Sequence, residues 1–477
     1  MDISITTSKC YNKKEGKINV KKGTTMTKTV QKSKARDMTQ GSIWKQLLLF
    51  SLPLMAGNLF QQLYNTVDSI VVGNFVGKEA LAAVGSVGPI INSLIGFFMG
   101  LSTGAGVIIS QYYGAKADEK VSRTVSTTLV MTFFLSIVFT ILGIFITPYM
   151  LRMMSTPNDV IRESATYLKI YFGGVAGLMF YNMGSGVLRA VGDSRHPLYF
   201  LIFSSLLNVV LDWYFVAVLH RGVPGAAYAT FLAQGLSAVL SFGVFLLELR
   251  RIPERSNGLF RFGELRAMTR VALPSILQQS TVSIGMMLVQ SVVNGFGTQI
   301  LAGFSAAARI ESLCIVPMAA ISNALSSYTA QNIGAEKPER VPQGYRAANR
   351  MIVLISVLLC VLLELFRTPI IAMFLDAAPS PETVATGEHY LQFIGFFFCF
   401  IGFKMAVDGI LRGAGDVKMF TIANLVNLAI RVLLSWLCAP LWGVEIVWYA
   451  VPVGWLANFV ISFAHYRTGK WKEKRIA

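Results

Sequence analysis

Four polar residues lie in otherwise apolar stretches of the sequence, where such residues are costly. Asn208 and Asp212 are separated by three apolar residues, and a spacing of four places both side chains on one face of a helix. Asp68 lies in another apolar run with no basic residue near it, and Thr230 adds a hydroxyl in a third. Their oxygens suit Na⁺, and a desolvated carboxyl group can instead hold a proton. The pattern indicates a cation or proton site. Two alternatives involve no ion. Asn208 and Asp212 could cap a helix end, and Asp68 could lie at the outer end of its span in contact with water.

A second group of charges lies in the apolar stretches of the C-terminal part. Its members are Arg309, Glu311, Lys404, Asp408 and Arg412. Ion pairs that hold helices together are the simplest interpretation, because Asp408 and Arg412 have the spacing that joins side chains along one helix. An ionisable residue within a membrane is also a functional candidate, since its burial costs several kcal/mol. We therefore treat these residues as charges that could line a cavity.

Signatures of other chemistries are missing from the sequence. It has no Walker A glycine loop for an ATPase and no Ser/His/Asp arrangement for a hydrolase. Its five cysteines and four histidines follow neither a disulfide framework nor the paired spacing of a metal site. The net charge of +17 is spread over the tails and between apolar segments, which argues against a nucleic-acid partner. We expect no enzyme activity and no cofactor beyond Na⁺ or H⁺ as a coupling ion.

The composition identifies the solvent that surrounds these residues. Hydrophobic residues make up 54% of the 477-residue chain and charged residues 14%, whereas a soluble domain carries about 25% charged residues. A soluble fold of this size cannot bury so much apolar surface, so lipid must cover it. Many of the 41 glycines lie inside apolar runs, where they let membrane helices approach closely.

Apolar segments recur along the chain with lengths typical of membrane spans. Each is long enough to cross about 30 Å of hydrocarbon at about 1.5 Å per residue. We therefore predict an all-α integral membrane protein with twelve transmembrane helices. The first six lie at 43–73, 80–112, 122–148, 160–190, 196–219 and 225–249, and the second six at 265–296, 300–332, 342–370, 384–412, 418–440 and 444–466.

The basic residues predict the orientation in the membrane. Twelve spans place both termini on one side, and the loops on that side hold 22 lysines and arginines outside the N-terminal tail, against 6 in the opposite loops. The positive-inside rule makes both termini cytoplasmic, in a multi-pass protein of the inner (plasma) membrane. We expect basic cytoplasmic tails at 1–40, which should be disordered, and 467–477, and a polar cytoplasmic linker at 250–264.

The two halves of the chain resemble each other. Three anchors recur in order at an offset of 220 to 223 residues: Gly186–Asp193 with Gly409–Asp416, Pro53 with Pro274, and Ser110–Ala115 with Ala330–Ala335. Six spans per repeat give both repeats the same direction. We therefore expect two six-helix bundles, 41–249 and 265–466, related by a pseudo-two-fold axis along the membrane normal. Such a pair suits alternating access, and a duplicated scaffold without transport is the alternative.

On these residues the sequence resembles the multidrug and toxic compound extrusion (MATE) family over nearly all of 38–470. The resemblance rests on Pro53 with Asp68 after it, on Gln111–Gly114 and Gln331–Gly334, and on the two Leu-Arg-x-x-Gly-Asp turns. It is nearer to the prokaryotic branch that resembles DNA-damage-inducible protein F. The resemblance implies a twelve-helix antiporter that exports organic cations and other toxic compounds, driven by entry of Na⁺ or H⁺.

The resemblance also implies which residues couple export to the ion. It points to a site in the N-terminal lobe made by Asp68, Asn208, Asp212 and Thr230. These four residues could serve as the ligands of a bound Na⁺. The branch that resembles Vibrio-type exporters has an acidic residue eight positions after the proline of span seven, where this chain has Val282. This departure favours coupling through the N-terminal lobe.

These observations lead to one functional hypothesis and two alternatives. We expect a monomeric antiporter in the lipid membrane that exports a small organic cation or drug in exchange for Na⁺ or H⁺. A flippase for lipid-linked precursors shares this fold, but it is expected to have extra helices or a strongly cationic cavity. A membrane sensor without net transport would bind a ligand and show no response to an ion gradient.

Overall fold

A computed structural model shows that the chain is helical almost throughout. It describes residues 37–76, 78–154, 156, 160–250, 258–375 and 379–474, without the side chains of 64–74, 78–82 and 244–250. The helices of the N-terminal half are α1 (Ile43–Phe75), α2 (Lys78–Gly114), α3 (Asp118–Met153), α4 (Ile161–Gly173), α5 (Val175–Ala190), α6 (Arg195–Asp212) and α7 (Gly222–Arg250). Those of the C-terminal half are α8 (Phe262–Asn294), α9 (Thr298–Gly334), α10 (Val341–Ala372), α11 (Pro381–Gly395), α12 (Phe398–Ala414), α13 (Val417–Trp442) and α14 (Glu445–Arg467).

The prediction of an all-α, multi-pass membrane protein is confirmed. Within the described residues, ten helices are long and apolar enough to cross a membrane, and α11 with α12, which are bent by 55° relative to each other, make eleven if this pair is one span. The span predicted at 160–190 divides into α4 and α5, and that predicted at 384–412 divides into α11 and α12. Helices α4 and α5 are outside the set of ten because each is short, and α4 also carries Arg162, Glu163 and Lys169.

Two glycines account for the break between α4 and α5. Gly173 ends α4, and Gly174 links it to α5. A side chain at Gly174 would place its Cβ 2.7 Å from the ring of Phe231, so only glycine lets α7 pack against this point. The break in the second half occurs in the equivalent span and follows Gly395.

Helix α3 shows which solvent surrounds the protein. Among its buried side chains are Thr124, Thr128 and Thr132, whereas Phe134 and Phe145 are more than half exposed. This is the reverse of a helix in a soluble protein, and it indicates that the outer surface faces hydrocarbon. Each of the three threonines donates its hydroxyl to the backbone carbonyl four residues earlier, so these polar groups are satisfied within the helix.

The helix contacts of one half recur in the other. Helix α1 packs on α6 as α8 packs on α13, and α2 packs on α5 as α9 packs on α12. Helices α6 and α7 form a pair, and so do α13 and α14. The internal repeat in the sequence is therefore also a repeat of packing.

The two halves meet where α2 contacts α8, and where the equivalent helices α9 and α1 contact each other. Gly96, Gly100 and Gly104 form a stripe along α2 at a spacing of four residues. A Cβ at Gly100 would be 2.8 Å from the Cα of Ile276, and one at Gly104 would be 2.8 Å from the Cα of Ala272. The stripe therefore allows the backbones of α2 and α8 to touch.

Candidate functional site

The N-terminal half buries the polar pair that the sequence singles out. Asn208 and Asp212 lie one turn apart at the end of α6, and their exposed fractions are 1% and 0%. Thr230, on α7, is also buried. Asp68 is part of α1, but its side chain lies outside the described residues. Helix α6 packs on α7 and α1 packs on both, so the helices that carry these four positions meet.

The backbone after Asp212 departs from a regular α-helix. It continues as a π-helical segment, Trp213–Val218, which packs against α1 and α7. Such segments are rare and are frequent at functional sites. Because helical backbone continues past Asp212, capping of a helix end does not account for Asn208 and Asp212.

The burial of these polar groups costs free energy, which a hydrogen-bond partner, a proton or a bound cation must offset. Neither amide atom of Asn208 has a hydrogen-bond partner among the described residues, and a buried polar group left unsatisfied costs about 1–3 kcal/mol. A carboxyl group as deeply buried as that of Asp212 must be protonated or matched by a cation. Thr230 donates its hydroxyl to the carbonyl of Ala226 at 3.1 Å, which leaves the lone pairs of its oxygen as acceptors. The three side chains offer the hard oxygen ligands that Na⁺ requires, and Asp212 alone could hold a proton.

Asp408 of the C-terminal half is paired within the protein. It forms a salt bridge of 3.1 Å with Lys404 along α12, and both side chains are buried. Asn424 of α13 accepts a hydrogen bond from Lys404 at 2.9 Å, and Ser462 of α14 donates one to Asp408 at 2.9 Å. The ion pair therefore lies within α12, and hydrogen bonds link it to α13 and α14; the partner of Asp408 is Lys404 and not Arg412.

The remaining charges predicted for a cavity in this half have separate surroundings. Arg412 donates to the side chain of Asn323 at 2.8 Å. Glu311 accepts a hydrogen bond from the hydroxyl of Tyr390. Arg309 is exposed on α9. The structure thus distributes the five predicted charges over several environments and does not gather them around one space.

The repeat brings different chemistry to the C-terminal counterparts of the N-terminal polar residues. Aligned on the two Gly-Asp turns, Asn208 matches Arg431 and Asp212 matches Ser435, with a tryptophan next in both halves. The prolines of α1 and α8 place Val289 at the position of Asp68. By the glycines at residues 222 and 443, Thr230 corresponds to a valine at position 451. All four positions therefore change their chemical character between the halves.

A small cavity lies between α8 and α13 at two of these counterpart positions. We call it the α8–α13 cavity, and its lining consists of Val282, Gly285, Met286, Val289, Asn424, Asn427, Leu428 and Arg431. It contains Val289 and Arg431, the counterparts of Asp68 and Asn208, and none of the five charges that the sequence predicted for a cavity. Arg431 is an ionisable residue inside a predicted span, which is a signal of function by itself, and the register of the repeat relates it to Asn208.

At the ends of α2 and α9, two buried glutamines join the halves. Gln111 donates to the carbonyls of Gly413 at 3.4 Å and Ala414 at 3.3 Å, in the last turn of α12. Gln331 donates to the carbonyl of Ala190 at 3.1 Å, at the end of α5. Because Gln111 and Gln331 are equivalent in the repeat, these contacts are reciprocal.

Two glycines bring the backbones together at the same place. A Cβ at Gly114 would be 2.0 Å from the carbonyl oxygen of Gln331, and one at Gly334 would be 1.9 Å from that of Gln111. Any larger residue would force the helix ends apart. The segments Gln111–Gly114 and Gln331–Gly334, which carry part of the family resemblance, therefore form a contact between the halves.

The segment before α1 is attached to the C-terminal half. The amide of Met38 donates to the side chain of Gln331 at 3.0 Å, and Asn332 donates to the carbonyl of Met38 at 3.2 Å. Lys337 donates to the carbonyl of Thr39 at 3.1 Å. Met38 and Thr39 are buried, although the composition assigns them to the basic tail. The apolar side chain of Met38 and the free backbone groups beside it explain why this part of the tail is held.

The chain matches known transporters along most of its length. The MatE family model matches residues 53–214 and 274–437. The probable multidrug resistance protein YpnP of Bacillus subtilis is 33% identical over 445 residues, which cover 93% of this chain and 99% of that protein.

Two solved structures share the fold, each with a TM-score of 0.85. The first, described as the outward-facing conformation of a multidrug resistance MATE family transporter, is 26% identical and covers 92% of this chain and 99% of its own. The second is a MOP superfamily transporter from Pyrococcus furiosus, for which reverse polarity of the binding pocket is described as suggesting a different function. It is 25% identical and covers 93% of this chain and 99% of its own. The chain therefore belongs to the MatE family, whose members are multidrug efflux transporters of the membrane and not enzymes.

Proposed function

We propose that the protein is a secondary antiporter that exports drug-like organic cations in exchange for Na⁺ or H⁺. The observation that carries this proposal is the pair Asn208 and Asp212, fully buried one turn apart in a helix of membrane-spanning length. Evolution tolerates such a carboxyl group in a membrane protein chiefly where it serves a pathway for ions or protons. Membership of the MatE family supports export, and the buried pair supports ion coupling.

The architecture that we propose has twelve spans in two six-helix bundles, 41–249 and 265–466. Helices α4 and α5 would form one broken span, and so would α11 and α12 in the second half. The matching contacts of the two halves support a pseudo-two-fold axis along the membrane normal. We further propose a single functional chain in the inner membrane, with both termini and the linker 250–264 in the cytoplasm.

Coupling would depend on the charge of the buried carboxyl group. With Asp68, Asn208 and Thr230 around it, Asp212 would take up Na⁺ or a proton when the site is open to the outside. Neutralisation would allow closer packing of α1 on α6 and α7, the helices that already meet at these positions. A shift in that packing would lower the affinity for the substrate and release it, because two ligands that favour different states oppose each other's binding.

Alternating access would require the contacts at the ends of α2 and α9 to form and break. Positive-inside topology assigns these ends to the cytoplasmic side. The hydrogen bonds of Gln111 and Gln331 to the opposite half close that side. When the lobes rock, these bonds would be replaced by contacts with water, so the exchange costs little free energy.

Transport in reconstituted vesicles tests the proposal. Ethidium export is measured in proteoliposomes in which Na⁺ and pH gradients are imposed separately. We expect uphill export to follow one of the two gradients in the wild-type protein and to be lost in Asp212→Asn and Asp68→Asn. Glu119→Gln removes an exposed carboxylate on α3 and is the matched control. The coupling assignment fails if inserted Asp212→Asn protein exports ethidium uphill at the wild-type rate.

A wild-type protein that moves neither ethidium nor a small panel of organic cations with either gradient would contradict antiport of cations. The flippase and sensor alternatives would then be tested with fluorescent lipids and with ligand binding in the absence of gradients. Movement of a labelled lipid-linked precursor between leaflets would favour the flippase. Saturable ligand binding without any transport would favour the sensor.

A further inference from the structure

We propose that the α8–α13 cavity binds an anionic group of the exported molecule, a carboxylate or a phosphate, with Arg431 as its counter-charge. This inference rests on the proposed export function and adds a substrate class to it. The exported molecules would include compounds that carry an acidic group in addition to a basic or apolar part.

Arg431 has hydrogen-bonding capacity that the protein leaves unused. Its Nε atom is buried and has no hydrogen-bond partner among the described residues. No salt bridge formed by those residues includes it. A guanidinium presents its donors as a planar fork that matches the two oxygens of a carboxylate or phosphate. An anion in the cavity would satisfy these donors and neutralise the charge at the same time.

The acidic groups of this half are engaged elsewhere. Asp408 is held by Lys404 and Ser462. Glu311 is near enough to Arg431 for the two charges to interact. It accepts its hydrogen bond from Tyr390, however, and forms no salt bridge with Arg431 in the described part of the chain. Glu311 therefore reduces the cost of an unoccupied Arg431 without occupying its donors.

The rest of the cavity lining has the character of a small-molecule site. Val282 and Met286 are partly exposed at 39% and 56%, which makes them the apolar entrance. Asn427 adds a buried amide oxygen that has no hydrogen-bond partner among the described residues; as an acceptor it would pair with a donor group of the bound molecule and not with its anionic group. Small-molecule sites combine apolar walls with a few convergent polar groups. This cavity is small, so it has room for one such polar group and not for a whole substrate. The cavity would hold the acidic end of a substrate, and the larger remainder would lie outside it.

Binding of two dyes that differ in one group tests the proposal. The dyes are a rhodamine with a free carboxylate and the methyl ester of the same rhodamine. Their binding to the full-length protein in phosphatidylcholine vesicles is followed by fluorescence anisotropy. In Arg431→Gln we expect the Kd of the carboxylate dye to rise about tenfold or more, because hydrogen bonds to charged groups contribute about 1.5–3 kcal/mol. The Kd of the ester should rise less than twofold.

Two further variants make the test specific. Arg350→Gln removes an exposed arginine of α10 in the same half, and it should change the Kd of neither dye. Val289→Asp places a carboxylate in the cavity next to Arg431 and should also weaken binding of the carboxylate dye alone. This variant keeps Arg431 in place, so it provides the test if Arg431→Gln does not fold.

The possible outcomes separate this inference from the proposed function. Equal weakening of both dyes in Arg431→Gln would make the arginine a structural residue and overturn the inference. A wild-type protein that exports the ester but does not bind the carboxylate dye would overturn it too, and would leave cation export intact. A wild-type protein that neither binds nor exports either dye would contradict the export function itself. The measurements are repeated with phosphatidylglycerol in the vesicles. Competition by this lipid that disappears in Arg431→Gln would assign the site to a lipid phosphate and overturn the assignment to the substrate.

Discussion

The buried site of the N-terminal half and the α8–α13 cavity occupy equivalent places in the two repeats. In the first, α6 presents Asn208 and Asp212 to α1 and α7. In the second, α13 presents Arg431 and Ser435 at the matching positions, and Val289 replaces the acidic residue of α1. One place is thus suited to a cation and the other to an anion, although the surrounding helices pack in the same way.

The contacts between the halves, in contrast, are the same in both repeats. Gln111 and Gln331 form reciprocal hydrogen bonds, and Gly114 and Gly334 make reciprocal backbone contacts. Packing at this contact therefore stays duplicated, while the interior of each half has acquired its own chemistry. The difference is the basis of the division of roles that we propose, in which the N-terminal half takes the coupling ion and the C-terminal half takes an anionic part of the substrate.

The largest expected difference between the halves concerns the acidic residue of α6. Asp212→Asn should lower gradient-driven ethidium export about 100-fold or more, because it removes the only group of the pair that changes charge. Ser435→Ala, at the equivalent position of α13, should leave export within about twofold of wild type, because it removes an uncharged hydroxyl that has no hydrogen-bond partner among the described residues. Export rates in proteoliposomes measure both. Equal losses in the two variants would contradict a division of roles.

A smaller but still large effect is expected at the ion pair of the C-terminal half. Asp408→Asn leaves the Lys404 ammonium buried without its counter-charge, which should cost about 3–5 kcal/mol of stability. The double variant Lys404→Met/Asp408→Leu should regain much of that loss, because it removes both buried charges. Thermal unfolding in detergent measures the two changes. If Asp408→Asn keeps wild-type stability and loses its response to the ion gradient, coupling would have to be assigned to the C-terminal half.

The smallest effects should be equal in the two halves. Gln111→Leu and Gln331→Leu each remove hydrogen bonds across the contact, and each should shift the equilibrium between closed and open forms by about 1 kcal/mol, or about fivefold. Maleimide labelling of Ala190→Cys, introduced where the native cysteines are replaced by serine, reports opening at the ends of α2 and α9. Labelling should rise by a similar factor in both variants. A response to one glutamine only would show that the contact is not reciprocal in function.

Local patterns in the sequence predicted most of the helices and the buried pair. Apolar length identifies a span, and the spacing of Asn208 and Asp212 with the cost of burying them identifies a site. The break between α4 and α5 was not predicted, because Gly174 is required by contact with α7 and not by its own neighbours in sequence. Asp408 has basic residues four positions away on both sides, so spacing alone could not choose Lys404 over Arg412.

Contacts distant in sequence were outside the reach of such patterns. The hydrogen bond from Gln331 to Ala190 joins residues of different repeats, and nothing near either residue indicates the other. Arg431 is visible in the sequence as a charge within a span, but its place in a cavity between α8 and α13 depends on how these helices pack. Tertiary packing decides these features.

Release of the coupling ion when a substrate binds is the most direct test of the division of roles. Purified protein in detergent is titrated with ethidium while a pH electrode and a Na⁺-selective electrode follow the solution. We predict that the wild-type protein and Glu311→Gln, which lacks an acidic residue of the C-terminal half, release H⁺ or Na⁺, because the two ligands oppose each other's binding. Asp212→Asn should bind ethidium and release neither ion. Release by Asp212→Asn at the wild-type level, or none from Glu311→Gln, would contradict the assignment of coupling to the N-terminal half.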